Sequence, residues 1–153
     1  MIDGTPASRL AGFLGKYEPA VAAFTKGALA LLRRRLPGAF ELIYDNYNAL
    51  VIGFSPTATS SAAVFSIAVY PRWVNLFFAQ GARLPDPKKV LQGSGNQVRH
   101  IVLSSPDDIC APDVEAQIRA ALKRAGDPFD PARRRRLIVK SVASKQRPRR
   151  PVH

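Results

Sequence analysis

A chain of 153 residues with 46% hydrophobic content is long enough to bury one core and too apolar for wholesale disorder. No apolar run approaches the ~20 residues of a membrane span, and a single cysteine, Cys110, excludes an internal disulfide. The net charge of +12 is unevenly placed: Met1 to Ala132 holds 14 Lys and Arg against 11 Asp and Glu, a net of +3, whereas Arg133 to His153 holds nine Lys and Arg and no acid, a net of +9. The expected organisation is therefore one mildly basic domain over 1–132 and a basic, Arg- and Pro-rich extension over 133–153. Such an asymmetry points to a tail that meets polyanions, or to one that keeps the protein soluble. Met1-Ile2-Asp3-Gly4 has no basic segment followed by an apolar run, so no secretory leader is read and a cytoplasmic location is expected.

In chain order, Thr5 to Gly15 carries a short helical pattern with Leu10, Phe13 and Leu14 on one side, weakened by Gly12 and Gly15. Glu18-Pro19 reads as the start of a longer helix, and Val21, Phe24, Ala28, Leu31, Leu32 and Leu36 form its apolar stripe. Arg33, Arg34 and Arg35 crowd the last turn, where positive charge complements the helix dipole, and they are read as capping and solvation. Two strand-like runs follow, Phe40 to Tyr47 and Ala49 to Phe54, joined by a tight turn at Asn46-Tyr47-Asn48. Ser55 to Ser61 is a polar loop. Phe65, Ile67 and Val69 then alternate with Ser66, Ala68 and Tyr70, and after Pro71-Arg72 a fourth strand runs from Trp73 to Ala79. Gly81 to Gly95 is a loop, Val98 to Leu103 a fifth strand, and Pro112-Asp113 opens a second long helix with Val114, Ile118, Ala121, Leu122 and Ala125 inward. The expected fold is α+β: an antiparallel sheet of about five strands with N- and C-terminal helices packed on one face. The hexad Leu137 to Val142 offers a sixth, edge strand flanked by basic residues, and the segment beyond it is expected to be disordered or extended.

Several motifs recur in order: Leu36-Pro37-Gly38-Ala39, Ile43-Tyr44-Asp45-Asn46-Tyr47, Val74-Asn75-Leu76-Phe77-Phe78 with Gly81, Leu84-Pro85-Asp86-Pro87, Leu91-x-Gly93-x-Gly95 with Val98-Arg99-His100-Ile101, and Asp107-Asp108-Ile109 before a helix. Across about residues 29–125 the chain thereby resembles the YdhG-like domain family of unknown function. The resemblance implies a frataxin-like fold, with terminal helices on an antiparallel sheet. Some relatives are described as iron chaperones. Iron handling of the frataxin type rests on an acidic first helix, because hard iron ions favour clustered carboxylates. The long first helix here carries Lys26, Arg33, Arg34 and Arg35 with Glu18 as its sole acid, so iron binding is not carried over. Asp107, Asp108, Asp113 and Glu115 form the one local acidic cluster and are read as helix caps.

Two sets of candidate site residues remain. The cations Arg133, Arg134, Arg135, Arg136, Lys140, Lys145, Arg147, Arg149 and Arg150 suit a nucleic-acid backbone or an acidic protein, bound without sequence specificity and with steep salt dependence. Tyr44, Tyr47, Trp73, Lys88, Lys89, Gly93, Gly95, Arg99 and His100 could instead line a ligand pocket, through aromatic stacking and a Gly-rich anion cradle. Tyr70 and Phe78 belong with those aromatic residues. Alternatively the glycines serve a flexible connection, and most of the aromatic residues are core. No nucleophile–base pair, Gly-x-Ser-x-Gly elbow or Cys/His metal spacing is present, so neither an enzyme nor a metal or other cofactor is expected. The expected role is a binding or accessory domain. The alternative is a small-ligand or iron-handling domain.

Overall fold

The computed structural model describes residues 4–151. The first three residues, on which the reading of no leader rested, and the last two of the basic extension lie outside the described residues. Three helices, α1 (Pro6–Leu14), α2 (Pro19–Arg35) and α3 (Pro112–Arg124), pack with six strands: β1 (Phe40–Asp45), β2 (Leu50–Ser55), β3 (Phe65–Val69), β4 (Val74–Phe78), β5 (Arg99–Leu103) and β6 (Arg136–Val142). The strands form one sheet in the order β5-β4-β3-β2-β1-β6. Strands β1 to β5 make an antiparallel meander, with tight turns between β1 and β2 and between β3 and β4 and longer connections elsewhere. The sheet as a whole is mixed rather than antiparallel, because β6 adds parallel to β1 after the long excursion through α3.

Pairing register explains the core. Val139, Ile43, Ile52, Ile67, Leu76 and Ile101 lie opposite one another in turn, an aliphatic row crossing all six strands. Parallel to it runs an aromatic row of Phe54, Phe65 and Phe78, all three fully buried. The Phe65 and Phe78 rings meet edge to face at 5.6 Å. Helix residues Leu10, Leu14, Ala28, Leu29, Leu32, Ile118, Ala121 and Leu122 join these rows in one core. Burying a side chain of this size contributes about 1.5–3 kcal/mol, so the rows set the register. A slip of one residue would turn every one of them to the opposite face.

Both carboxylates of β1 face this core. Glu41 stands opposite Phe54 and Asp45 opposite Leu50, and both side chains are fully buried. Each is neutralised from two sides. Arg33 of α2 grips Glu41 with two hydrogen bonds, at 2.9 and 2.8 Å, and Arg135 lies 3.7 Å away. Lys16 donates to Asp45 at 2.6 Å, and Arg149 donates at 2.9 Å. Arg35 similarly grips Glu115 of α3. Two members of the Arg33–Arg35 triplet therefore tie α2 to other elements, a role beyond the capping read from sequence. Asp108 does cap, accepting from the backbone N–H groups of Ser104 and Ser105. Asp113 and Glu115 stand in the first turn of α3, where negative charge is favoured.

Expectation and structure part at the C-terminus. Over residues 143–151 the chain has no helix or strand of its own, as the extended alternative has it, but it is not free: it lies against the β1–β2 hairpin through Ala143 N–H to Asp45 O (2.8 Å) and Arg147 N–H to Tyr47 O (2.9 Å). No helix among the described residues is long and apolar enough to cross a membrane.

Candidate functional site

A meander puts alternate turns at the same end of the sheet, so the β1–β2 turn and the β3–β4 turn are neighbours. Each turn is tight. Asn46 N–H donates to Ala49 O at 3.0 Å, and Tyr70 N–H donates to Trp73 O at 2.9 Å. Closing the second turn over Pro71-Arg72 brings the Tyr70 and Trp73 rings into a stack, 5.5 Å between centroids at 28°. Arg72 is left at the tip, exposed and without an ion pair among the described residues.

The C-terminal segment completes this end. Arg149 anchors it: the guanidinium is buried, donates to Asp45 Oδ1 and to the carbonyls of Asn46 and Tyr47, and lies 5.9 Å from the centroid of the Tyr17 ring. With Arg149 turned inward, Arg147 and Arg150 are left on the surface at its flanks. Arg147 covers the Tyr47 ring at 5.7 Å. Arg150 donates to Lys16 O at 3.2 Å and lies 3.7 Å from Glu18. Between the two turns and this segment lies an open groove of about 660 Å³, its wall formed by Tyr70, Arg72, Trp73, Arg147 and Arg150 together with Asn48 and three prolines. Three guanidinium groups and two stacked aromatic rings line it, and no carboxylate does. The prolines fix φ and limit how far the wall can collapse.

The anchoring is also an electrostatic device. Burial disfavours the Asp45 carboxylate, but hydrogen bonds from Lys16, Gln146 and Arg149 outweigh it and hold its pKa below the ordinary value. Burial raises the pKa of Tyr17, whose hydroxyl donates to Val69 O at 2.8 Å and accepts from Leu50 N–H at 3.1 Å. The groups beneath the groove are thus largely paired with one another, although Arg149 Nε is buried without a hydrogen-bond partner.

Of the nine basic candidates, Arg147 and Arg150 reach this groove. Arg149 does not present its charge to solvent, which corrects its assignment as a polyanion ligand. Arg135 is drawn to Glu41, Arg133 stands 4.0 Å from Asp130, and Lys140 donates to Ala58 O at 3.0 Å. Arg134, Arg136 and Lys145 are exposed and make no ion pair among the described residues. The pocket set is split. Trp73 lines the groove and Tyr47 borders it through Arg147. Gly93, Gly95 and Arg99 lie at the other end of β4 and β5, roughly 14 Å away along the strands. Lys88 and Lys89 are exposed on the loop between β4 and β5 and line no part of the groove, Lys88 pairing with Asp113 in the first turn of α3 at 3.0 Å. Arg99 donates to the carbonyls of Gly95 and Val98, so the Gly-rich loop turns acceptors toward its nearest cation. Tyr44 is bonded to Ser60, and His100 lies beside Phe77 with ring centroids 5.1 Å apart. Phe78 is core.

Sequence reasoning missed Arg72 and Asn48. Arg72 was legible as the cation in a two-residue turn between two aromatic residues. Asn48 carried no signal of its own. Among the described residues no three of His, Cys, Asp and Glu are grouped as metal ligands. The chain matches no protein-family model, no curated protein and no solved structure.

Proposed function

We propose that this protein is a non-catalytic, YdhG-like binding domain that takes a polyanion, nucleic acid foremost, in the groove between the two hairpin turns and the C-terminal segment. The observation that supports this reading is the lining itself: Arg72, Arg147 and Arg150 around the Tyr70/Trp73 stack, with no acid in the wall. Guanidinium groups suit phosphate oxygens because their fork of donors matches them. Stacked aromatic rings suit bases. Most of the binding free energy would come from counterion release, so affinity falls steeply with salt.

The test is fluorescence anisotropy with a labelled oligonucleotide at low and physiological salt, on the whole protein and on the double variant Arg72→Ala/Arg147→Ala. Neither residue is paired with a carboxylate, so the fold is retained. Binding should weaken and the salt slope should flatten by about 1.4 for a single strand, close to 0.7 per lost phosphate contact. Equal affinity and slope in the two proteins would refute the groove as the binding surface.

A further inference from the structure

The face of the sheet turned away from the helices is covered on one side and more exposed on the other. The loop between β2 and β3 lies over the β1 side, held by the Tyr44–Ser60 hydrogen bond and by Lys140 donating to Ala58 O. It leaves Leu42 fully buried there. Over β3, β4 and β5 the cover is partial among the described residues: Ala68 and Asn75 are buried, Tyr70, Phe77 and His100 are half-buried, and Ser60, Ser61, Ala63, Gln97 and Val98 edge the space above them. Trp73, Asn75 and Phe77 alternate along this face of β4, with His100 and Val102 opposite them on β5. Trp73 is 48% exposed and Val102 40%. A second groove, about 550 Å³, runs over this half and is lined by Tyr70, Ala68, Ser66 and Phe77. Tyr70 belongs to both grooves.

Two aromatic pairs therefore stand along this half of the face, with the buried Asn75 between them. Tyr70/Trp73 stands at its basic end, and Phe77/His100 further along, the Phe77 and His100 rings tilted by 34°. The distance from residue 73 to residue 77 along β4 is roughly 14 Å. The second groove is lined by no charged residue, whereas the first carries three guanidinium groups. Phosphates would be drawn to the first and flat apolar faces accommodated by the second.

The geometry points to a single-stranded nucleic acid as the ligand, its backbone held by Arg72, Arg147 and Arg150 and its unpaired bases laid over the β3–β5 sheet face against Tyr70/Trp73 and Phe77/His100. This rests on the groove reading above and narrows it. A duplex keeps its bases stacked on one another and offers the strip only its phosphates. A single strand offers both. An acidic peptide would satisfy the arginines and leave the aromatic strip unused.

Trp73 is the one tryptophan in the chain, so it reports occupancy directly. The whole protein is titrated with an oligothymidine of about 12 nucleotides, an abasic strand of equal length, a duplex of equal charge, and poly-glutamate. Expected are quenching of Trp73 by the oligothymidine and affinity for it on the order of tenfold above that for the abasic strand. Phe77→Ala should remove much of that difference while leaving abasic-strand affinity unchanged. Phe77→Leu, which keeps the apolar bulk without a ring, should do the same and guards against a folding defect. Equal binding of oligothymidine, abasic strand and duplex, sensitive to Arg72→Ala but not to Phe77→Leu, would overturn the base strip and leave the basic groove standing. Preference for poly-glutamate would overturn the strip as well. Failure of all four ligands to bind would overturn both readings.

Discussion

Arg149 and Asp45, 104 residues apart in sequence, form a buried ion pair at 2.9 Å. On the far side of β6, Arg135 approaches the other buried carboxylate of β1, Glu41, at 3.7 Å. The last strand is thus clamped before and after by cations that reach the two acids of its neighbour. A basic C-terminus here is in part a set of counter-charges for the core.

Removing one partner of a buried pair leaves an uncompensated charge and costs about 3–5 kcal/mol. Arg149→Ala should sit at the lower end of that range, because Lys16 still neutralises Asp45. Chemical denaturation measures it. The same variant should let limited proteolysis trim the chain after β6, and unchanged stability with an intact C-terminus would contradict the clamp.

Truncation after Ala132 should be far more damaging than loss of a solubilising tail. It strips β6 from β1, exposes the Ile43 side of the row, and removes Arg135 and Arg149 together. A loss of at least about 4 kcal/mol is expected from the lost apolar burial alone, a large part of the 5–15 kcal/mol typical of a domain. Thermal unfolding should show a broad, early transition. A truncated chain that unfolds at the same temperature as the full one would show that β6 is dispensable.

Acid should unfold the protein through the two carboxylates whose pKa values are depressed. Asp45 is held down by Lys16, Gln146 and Arg149 against its own burial, and Glu115 chiefly by its hydrogen bonds with Arg35. A depressed folded-state pKa gives stability that is complete above the unfolded value, about 4, and is lost as pH falls through the lower folded value. Unfolding midpoints should hold steady on this account down to about pH 4 and drop below it. Asp45→Asn should flatten that acid limb while lowering the plateau. At the alkaline end the sign reverses for Tyr17: burial raises its pKa, so its contribution is present below about pH 10 and is lost above.

Gly81→Ala should destabilise although alanine is small. A Cβ at Gly81 would stand 2.4 Å from the Cβ of Arg99 and 2.8 Å from its backbone nitrogen, at the start of β5. The backbone must shift, at a cost of about 1–3 kcal/mol. Gly95→Ala is the control, since a Cβ there meets nothing within 4 Å. Equal midpoints for the two variants would show that the turn after β4 yields freely.

Much of the fold was legible because local rules and burial agree along most of this chain. The period-two run from Phe65 to Val69 is β3, the apolar stripe from Val21 to Leu36 lies on α2, and Pro112 opens α3 as its position suggested. The turns at Asn46–Asn48 and Pro71-Arg72 were equally readable, since tight connections between β-rich runs leave few alternatives. The hexad at 137–142 was visible as a strand. Its partner and direction were not, because pairing across some ninety residues leaves no local mark.

Charge was where the residues by themselves misled. Counting signs correctly located nine cations after Ala132, and the count has no term for what each one faces. Whether an arginine is a free ligand or a counter-ion depends on a carboxylate brought beside it by folding, as Asp45 is brought to Arg149 and Glu41 to Arg135. Sequence periodicity determined the strands and helices, since each depends on residues a few positions apart. Tertiary structure alone decided which of the arginines remain available to a partner, since the low polarity around Glu41 and Asp45 makes an unpaired charge there too costly to leave.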